Sequence, residues 1–215
     1  MLGQSISRNS LLLAVFAMCT TALIAGTYLL TKADIAEQKR LAEEKALLEI
    51  IPRSRHDNSM LDDTVAVGPQ DEGLGLSENK HIYVARQGGK VVGVIIPVVA
   101  PDAYSGEVEL IVGVNTDGTI AGVRALAHKE TPGLGDKVDL KKSDWVLGFN
   151  GKSLLNPTLD GWHVKKDKGE FDQFTGATIT PRAVVAATLR ALQFAQANRK
   201  RLFAQPAATP TGGDS

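Results

Sequence analysis

Hydroxyl side chains concentrate in one short segment near the carboxyl end of the chain. The residues D-Q-F-T-G-A-T-I-T occupy positions 172–180, and Pro181 follows them. Because Thr can cap a helix and Pro suits the first helical position, Thr180 and Pro181 predict that a helix begins here. Backbone N–H groups at a helix start favour an anion, and Gly176 and Ala177 let a bulky group approach the main chain. The segment is therefore suited to a phosphate, and a capped turn without a ligand is the alternative.

A second loop combines glycine, proline and one apolar side chain. It reads H-K-E-T-P-G-L-G-D-K over residues 128–137. Pro132 stiffens the turn, while Gly133 and Gly135 allow backbone angles that other residues avoid. Leu134 is left as a lone apolar side chain on a polar loop. Such a loop can present an apolar surface and main-chain donors to a ring, and an ordinary turn is the alternative.

Several better-known sites do not occur in the sequence. The loop is not a dinucleotide fingerprint because Val138 stands in place of the third glycine, and it lacks the Gly-Lys-Ser/Thr ending of a phosphate loop. His128 and Glu130 are weak evidence for zinc, since the other histidines are scattered and no HExxH spacing occurs. A hydrolase with a threonine nucleophile is disfavoured, because no suitable base is near in sequence and the threonine is not N-terminal. Trp145 and Trp162 are more typical of a buried core than of a cofactor stack.

The composition excludes some classes of partner. Lys and Arg together number 24, as do Asp and Glu, so the formal net charge is zero and nucleic acid is not an expected partner. The only cysteine, Cys19, lies in an apolar run, so the rest of the chain can form no disulfide and offers no thiol to a metal or cluster. A length of 215 residues suits one domain with extensions.

An uncharged segment near the amino end predicts a transmembrane helix. The 20 residues from Leu11 to Leu30 carry no charge, and at about 1.5 Å each they would cover the roughly 30 Å of a bilayer core. A cleavable signal peptide has a shorter apolar run followed by a small-x-small site, which is not found here. A lipoprotein is also disfavoured, since Cys19 follows the bulky Met18 in the middle of the run.

The charges around this segment leave its orientation open. Arg8 precedes the span, whereas Lys32, Lys39, Arg40 and Lys45 follow it. Counted simply, the positive-inside rule opposes a domain outside the cytoplasm. A large domain can be translocated regardless of its charge, so the count is weak evidence.

The pattern of the residues after this segment predicts an α+β fold. We expect an antiparallel sheet with flanking helices, preceded by one N-terminal transmembrane helix. β-rich runs parted by short turns favour a meander, at residues 81–86, 90–100, 107–115 and 119–128. A helix should run from Thr180 to about Arg201, and residues 141–147 suggest a short one. We therefore expect a short N-terminal segment, a transmembrane helix, a connecting helix, a soluble domain and a disordered tail, at residues 1–10, 11–30, 31–52, 53–203 and 204–215.

These motifs together resemble the G subunits of Rnf-type electron transport complexes (RnfG/RsxG) and, more distantly, NqrC. The resemblance rests on DxxTGAT before a helix that begins TPRAVV, on the loop HKETPGLGDK, and on the single N-terminal span. In that family the last hydroxyl of D-x-x-[S/T]-G-A-[S/T] is esterified to the phosphate of FMN by a dedicated flavin transferase. The resemblance thus implies that Thr178 is the acceptor, with a recognition context of Asp172, Thr175, Gly176 and Ala177.

The same resemblance implies where the flavin lies. The ETPGLG loop of the family contacts the flavin, so the expected contacts here are Glu130, Thr131, Gly133, Leu134 and Gly135. The family also places its flavin domain in the periplasm, anchored to the bacterial inner membrane by one helix.

The resemblance implies an electron carrier that is not catalytic alone. Within its complex it would help couple electron transfer between NADH and ferredoxin-like carriers to cation translocation, with the other subunits as partners. An NqrC-like subunit of a sodium-pumping quinone reductase is the nearest alternative. A membrane-tethered ligand-binding module without redox chemistry is an alternative from another class.

Overall fold

A computed structural model describes residues 2–204 of the chain. Its contacts divide the chain into two units, of which the first ends at Glu43 and the second begins at Glu44. The expected start of the soluble domain, residue 53, therefore falls inside the second unit. The expected disordered tail at residues 204–215 lies outside the described residues, apart from Ala204.

One helix, α1, runs over Leu2–Ile50 and contains the predicted membrane span. Proline does not occur before Pro52, so nothing in this stretch forces a break. Among the described residues, α1 is the one helix long and apolar enough to cross a membrane. The hydroxyls of Thr20 and Thr27 each donate to the backbone carbonyl four residues earlier, at 2.9 and 2.8 Å. Such internal bonds satisfy polar groups in a medium without water.

Five antiparallel strands form one sheet in chain order, β1-β2-β3-β4-β5, which confirms the predicted fold class. Their bounds are β1 Thr64–Val67, β2 Lys80–Gln87, β3 Lys90–Ala103, β4 Gly106–Asn115 and β5 Ile120–Ala127. β2 and β3 are joined by Gly88 and Gly89, whose φ angles of +56° and +76° suit the tight turn of a two-residue hairpin. The four predicted strands are confirmed. β1 was missed because it is short and lies in an irregular stretch.

Helix α2, Ile179–Ala197, packs on one face of the sheet, and α3, Arg199–Phe203, follows it. The predicted carboxyl-terminal helix is confirmed, although Asn198 interrupts it. The prediction that Thr180 caps the helix is wrong. The capping position is Thr178, which makes no side-chain capping bond in the described structure, and the hydroxyl of Thr180 is engaged elsewhere.

The opposite face of the sheet is covered by the last turns of α1. Successive strand residues point to opposite faces, so Val94 and Ile96 join the α2 core while Ile95 packs with Leu47 and Ile51. Helix and sheet approach closely here: a Cβ atom at Gly113 would lie 2.2 Å from Cγ2 of Ile50. The carboxyl end of α1 is therefore part of the core of the second unit.

Between β5 and α2 the chain forms short 3₁₀ helices around an aromatic cluster. These helices are Gly135–Val138, Asp144–Phe149, Leu159–Gly161 and Lys165–Asp167. The predicted short helix near residues 141–147 corresponds to the second of them. Phe149 stacks on Phe171 with ring centroids 4.7 Å apart, and Trp162 lies 5.0 Å from Phe171. Phe149 and Trp162 are fully buried, which confirms that Trp162 belongs to the core, whereas Trp145 is only half-buried and packs against it.

Because His56 is buried, we expect the second unit to be less stable in mild acid than at neutral pH. His56 is 5% exposed, and neither ring nitrogen has a hydrogen-bond partner within the described part of the chain. Burial, with the nearby charge of Arg53 and Arg55, holds the pKa of His56 below its usual 6.5, although Asp57 opposes this. The unfolded chain therefore binds a proton that the folded chain does not, so stability falls as the pH drops from about 6.5 through the lowered pKa.

We expect the melting temperature to fall between pH 7 and pH 5 and the slope to be smaller in His56→Leu. The limiting slope for one group is about 1.4 kcal/mol per pH unit. Thermal unfolding of both proteins over this range measures the difference, and identical slopes would contradict it. Carboxylates titrate mainly below this window, and both proteins share them.

Candidate functional site

The ETPGLG loop leaves the edge strand β5 and forms a tight turn. The N–H of Leu134 donates to the carbonyl of Thr131 at 3.1 Å, which closes a four-residue turn around Pro132 and Gly133. Gly133 has φ +79°, as the third position of a type II turn requires, and Pro suits the second position. The carboxylate of Asp136 accepts from the N–H of Gly133 at 2.7 Å. The turn presents Leu134, which is 41% exposed.

The TGAT segment forms a second turn of the same kind immediately before α2. The N–H of Ala177 donates to the carbonyl of Phe174 at 3.1 Å, and Gly176 has φ +80°. Thr175 and Gly176 are exposed at the tip of the turn, and Thr178 is half-buried where the helix begins. The hydroxyl-rich segment is thus a turn with an accessible tip.

The fold brings these two loops together, although 39 residues lie between Gly135 and Thr175 in sequence. A Cβ atom at Gly176 would lie 3.6 Å from Cδ2 of Leu134, which is ordinary van der Waals contact. The hydroxyl of Thr180 donates to Oε2 of Glu130 at 2.6 Å. Leu134 and Thr178 therefore belong to one surface region.

Glu130 occupies a different environment from the rest of its loop. It is 6% exposed, whereas Thr131, Gly133 and Leu134 are exposed. Its Oε1 accepts from the N–H of Ser105 at 2.8 Å, and its Oε2 accepts from Thr180. Gly135 is also buried, and a Cβ atom there would lie 2.1 Å from Oε2 of Glu130. The carboxylate thus lies beneath the loop.

The side chain of Trp145 contacts the residues that lead into the TGAT turn. Its indole N–H donates to the carbonyl of Asp172 at 2.8 Å, and its ring meets Phe174 edge-on with centroids 5.0 Å apart. The side chain of Asp172 pairs with Lys165 at 2.7 Å, in a pair that is largely exposed. Sequence reasoning missed the contacts made by Trp145, because irregular segments have no periodicity that identifies partners.

An ion pair flanks the start of α2. The guanidinium of Arg182 binds both carboxylate oxygens of Asp167, at 2.5 and 2.6 Å. The hydrogen bonds from Arg182 hold the pKa of Asp167 below its usual value. Arg182 lies one helical turn after Thr178, and its N–H donates to the carbonyl of Thr178 at 3.3 Å. Neither Asp167 nor Arg182 was identified from the sequence.

The other features of the domain offer weaker candidates. Within residues 2–204 no group of three or more His, Cys, Asp or Glu side chains could hold a metal ion. His128 is engaged locally, since its Nδ1 accepts from the N–H of Glu130 at 3.2 Å. A groove of about 560 Å³ lies at the far end of α2, where Leu192, Gln196 and Arg199 line it. It contains none of the residues of the two loops.

Comparison with protein families identifies two regions of the chain. The FMN-binding domain family matches residues 103–193, a range that includes both loops, Trp145 and most of α2. The RnfG N-terminal region matches residues 1–50, which correspond to α1.

Relatives match nearly the whole chain, and each is named as the G subunit of an ion-translocating oxidoreductase complex. The protein from Vibrio cholerae serotype O1 (strain M66-2) is 46% identical over 202 residues, which cover 94% of this chain and 96% of the relative. The protein from Pseudomonas aeruginosa (strain UCBPP-PA14) is 51% identical over 201 residues, 94% of each chain. The protein from Pseudoalteromonas atlantica is 48% identical over 200 residues, 93% of each chain. These matches confirm the resemblance drawn from the motifs, and the chain belongs to the RnfG family of ion-translocating oxidoreductase complexes.

Proposed function

We propose that this chain is an electron-carrier subunit that holds FMN covalently, through a phosphoester to the hydroxyl of Thr178. The observation that carries the proposal is the convergence of the two loops. Thr178 lies where the TGAT turn meets α2, and Cδ2 of Leu134 lies 3.6 Å from the position that a Cβ atom on Gly176 would take. The match to the FMN-binding domain family supports the choice of FMN.

The geometry favours Thr178 over the two neighbouring hydroxyls. Thr180 is 0% exposed, and its hydroxyl donates to Glu130, so a transferase could not reach it without opening the core. Thr175 is exposed but lies at the tip of the turn, farther along the chain from the helix. A phosphate on Thr178 would lie at the start of α2, where backbone N–H groups and the helix dipole favour an anion.

Attachment is a phosphoryl transfer in which Oγ of Thr178 forms a new bond to the flavin phosphorus. The hydroxyl proton leaves to a base of the transferase, and the bond from that phosphorus to a second phosphate breaks. The donor must therefore be a flavin with a pyrophosphate, such as a flavin dinucleotide, because a free monophosphate has no good leaving group. No atom changes its oxidation state in this step, and Thr178 serves as the attachment point without a redox role.

The residues around Thr178 fit such a group. Within the described structure, Gly133 has open space where a side chain would be, and Gly176 meets only Leu134 there, so a flat ring can approach the backbone. Thr131, Gly133 and Leu134 are the proposed contacts, with Thr175, Gly176 and Ala177 on the opposing turn. Gly135, expected as a further contact, is buried against Glu130. Bound FMN accepts one or two electrons, and the protein orients the ring and sets its surroundings.

Leu134→Ala is expected to leave the flavin attached while changing its spectrum. Shortening the side chain removes apolar cover from the ring and admits water, which alters the absorption bands, the fluorescence or the potential. Leu155→Ala is a matched control, since Leu155 is 88% exposed and lines the groove at the far end of α2. If the Leu134 variant matches the parent in both spectrum and potential, the ring lies elsewhere.

The proposed setting is a complex in the bacterial inner membrane. α1 would anchor the chain, the carboxyl-terminal domain would lie in the periplasm, and other subunits of an Rnf-type complex would exchange electrons with the flavin. The complex would couple electron transfer between NADH and ferredoxin-like carriers to cation translocation, in line with the relatives' description as ion-translocating oxidoreductases. A covalent bond suits the periplasm, where a dissociated cofactor would be lost by dilution.

The anchor predicts that the full-length chain stays with membranes after a high-salt wash. A shortened chain that begins near Ala33 is expected to be soluble and folded, because it keeps Leu47, Ile50 and Ile51 of the core. A chain that begins at Pro52 is the matched control and should be unstable, since it lacks all three. Recovery of full-length protein in the soluble fraction with a new amino terminus would refute the anchor.

Mass spectrometry of the intact chain tests covalent attachment directly. The chain is expressed with and without a flavin transferase, and the mass of one FMN should appear only with the enzyme. Yellow colour that survives denaturation separates this function from a ligand-binding module without redox chemistry. A parent mass with no added flavin in the presence of an active transferase would overturn the proposal.

A further inference from the structure

One buried carboxylate joins three separate segments beneath the candidate site. Glu130 accepts the backbone N–H of Ser105, in the turn between β3 and β4, on one oxygen. It accepts the hydroxyl of Thr180, in the first turn of α2, on the other. Both side chains are buried, with 6% and 0% exposure. Because a buried polar group is costly unless hydrogen bonded, these contacts favour one arrangement of the three segments.

The hydrogen bond between Glu130 and Thr180 is close in sequence to Leu134 and Thr178, the two residues that matter most for the proposed flavin. Thr180 follows Thr178 by two residues, and Glu130 precedes Leu134 by four. The turn between Glu130 and Leu134 is closed by its own hydrogen bonds, and Gly135 packs directly on the carboxylate. A movement of Glu130 relative to Thr180 must therefore change the separation of Leu134 and Thr178.

We propose that Glu130 and Thr180 are positioning residues that fix the ETPGLG loop against the TGAT turn and thereby immobilise the flavin ring. The inference rests on the proposed function, because it concerns the same site. It gives Glu130 a role beneath the loop that differs from the direct flavin contact implied by family resemblance. Neither residue forms or breaks a bond during electron transfer.

Two substitutions at Thr180 separate this role from general stability. Thr180→Val keeps the shape of the side chain but removes the donor, which leaves Oε2 of Glu130 without the hydroxyl. Thr180→Ser keeps the donor and loses only a methyl group, so it should rescue positioning. Glu130→Gln is a second conservative variant that retains hydrogen-bonding capacity at both atoms.

The first measurement needs no flavin. Hydrogen exchange is followed in peptides that cover residues 131–135 of the full-length protein, made without transferase. Exchange in Thr180→Val should be about tenfold faster than in the parent, because the loss of one hydrogen bond to a buried acceptor shifts local opening by that order. Thr180→Ser should stay close to the parent. Unchanged exchange in Thr180→Val would overturn the positioning role whether or not flavin is ever attached.

The second measurement uses full-length protein made with the transferase. Thr180→Val should carry the same mass of FMN as the parent but show lower flavin fluorescence anisotropy and weaker visible circular dichroism, and Thr180→Ser should restore both. Parent-like flavin signals in Thr180→Val, with a lowered melting temperature, would reduce the pair to a structural contact and overturn the inference. Absence of flavin from the parent itself would instead overturn the proposed function. If Thr180→Val does not fold, Thr180→Ala, which also lacks the hydroxyl, carries the same comparison.

Discussion

Thr178→Ala is expected to abolish the covalent flavin completely, because no hydroxyl remains where the phosphoester forms. The fold should survive at a cost within about 1 kcal/mol, since the described structure shows no side-chain capping bond from Thr178 and the residue is only half-buried. The measurement is in-gel fluorescence of denatured protein made with the transferase, followed by mass analysis of the peptide from Phe171 to Arg182.

Two matched variants define this result. Thr175→Ala should retain attachment, although less efficiently, because Thr175 belongs to the recognition context and not to the bond. Thr178→Ser should retain some attachment because a hydroxyl remains at the same position. A folded Thr178→Ala protein that still carries FMN, mapped to Thr175 or Thr180, would disprove the assignment.

Phe149→Ala should lower the free energy of unfolding by about 3–5 kcal/mol, more than any other substitution proposed above. Phe149 is fully buried, stacks on Phe171 with centroids 4.7 Å apart, and meets Trp145 edge-on at 5.2 Å. Its removal leaves a cavity that rigid aromatic neighbours cannot fill. Because a domain is stable by only about 5–15 kcal/mol, this is a large part of the total.

Chemical denaturation of the shortened chain that begins near Ala33 measures the loss. Leu155→Ala removes an apolar side chain from the same connecting region, but Leu155 is 88% exposed, so its cost should stay within about 0.5 kcal/mol. Equal losses in the two variants would show that the aromatic cluster does not support the domain. Trp145 rests on this cluster, so the Phe149 variant should also loosen the TGAT turn.

The elements with regular local patterns could be predicted from the sequence. Strands β2 to β5 combine apolar side chains with turn residues at their ends, and helix α2 has an apolar face of helical spacing. Both loops were also identified in advance, one by its hydroxyl side chains before a helix start and the other by its proline and glycines. Gly133 has the positive φ expected of it, whereas Gly135 does not. The proposed flavin contacts themselves remain predictions.

The features that escaped prediction depend on distant residues. No local pattern shows that Thr180 donates to Glu130, 50 positions earlier, and local propensity alone made it a helix cap. The partnership between Glu130 and Ser105 is equally remote. The aromatic segment from Asp144 to Phe171 lacks a regular period, so its side chains could be assigned to the core but not to particular neighbours.

The order of the strands also bears on how the chain folds during synthesis. Each strand pairs with its predecessor in the chain, so the sheet can grow one hairpin at a time as residues emerge, with only short loops to close. α2 follows all five strands in the chain and packs on Val94 and Ile96. The TGAT turn ends immediately before α2. The turn proposed as the substrate of a transferase is therefore complete only after α2 has folded, which would restrict flavin attachment to chains that have reached that stage.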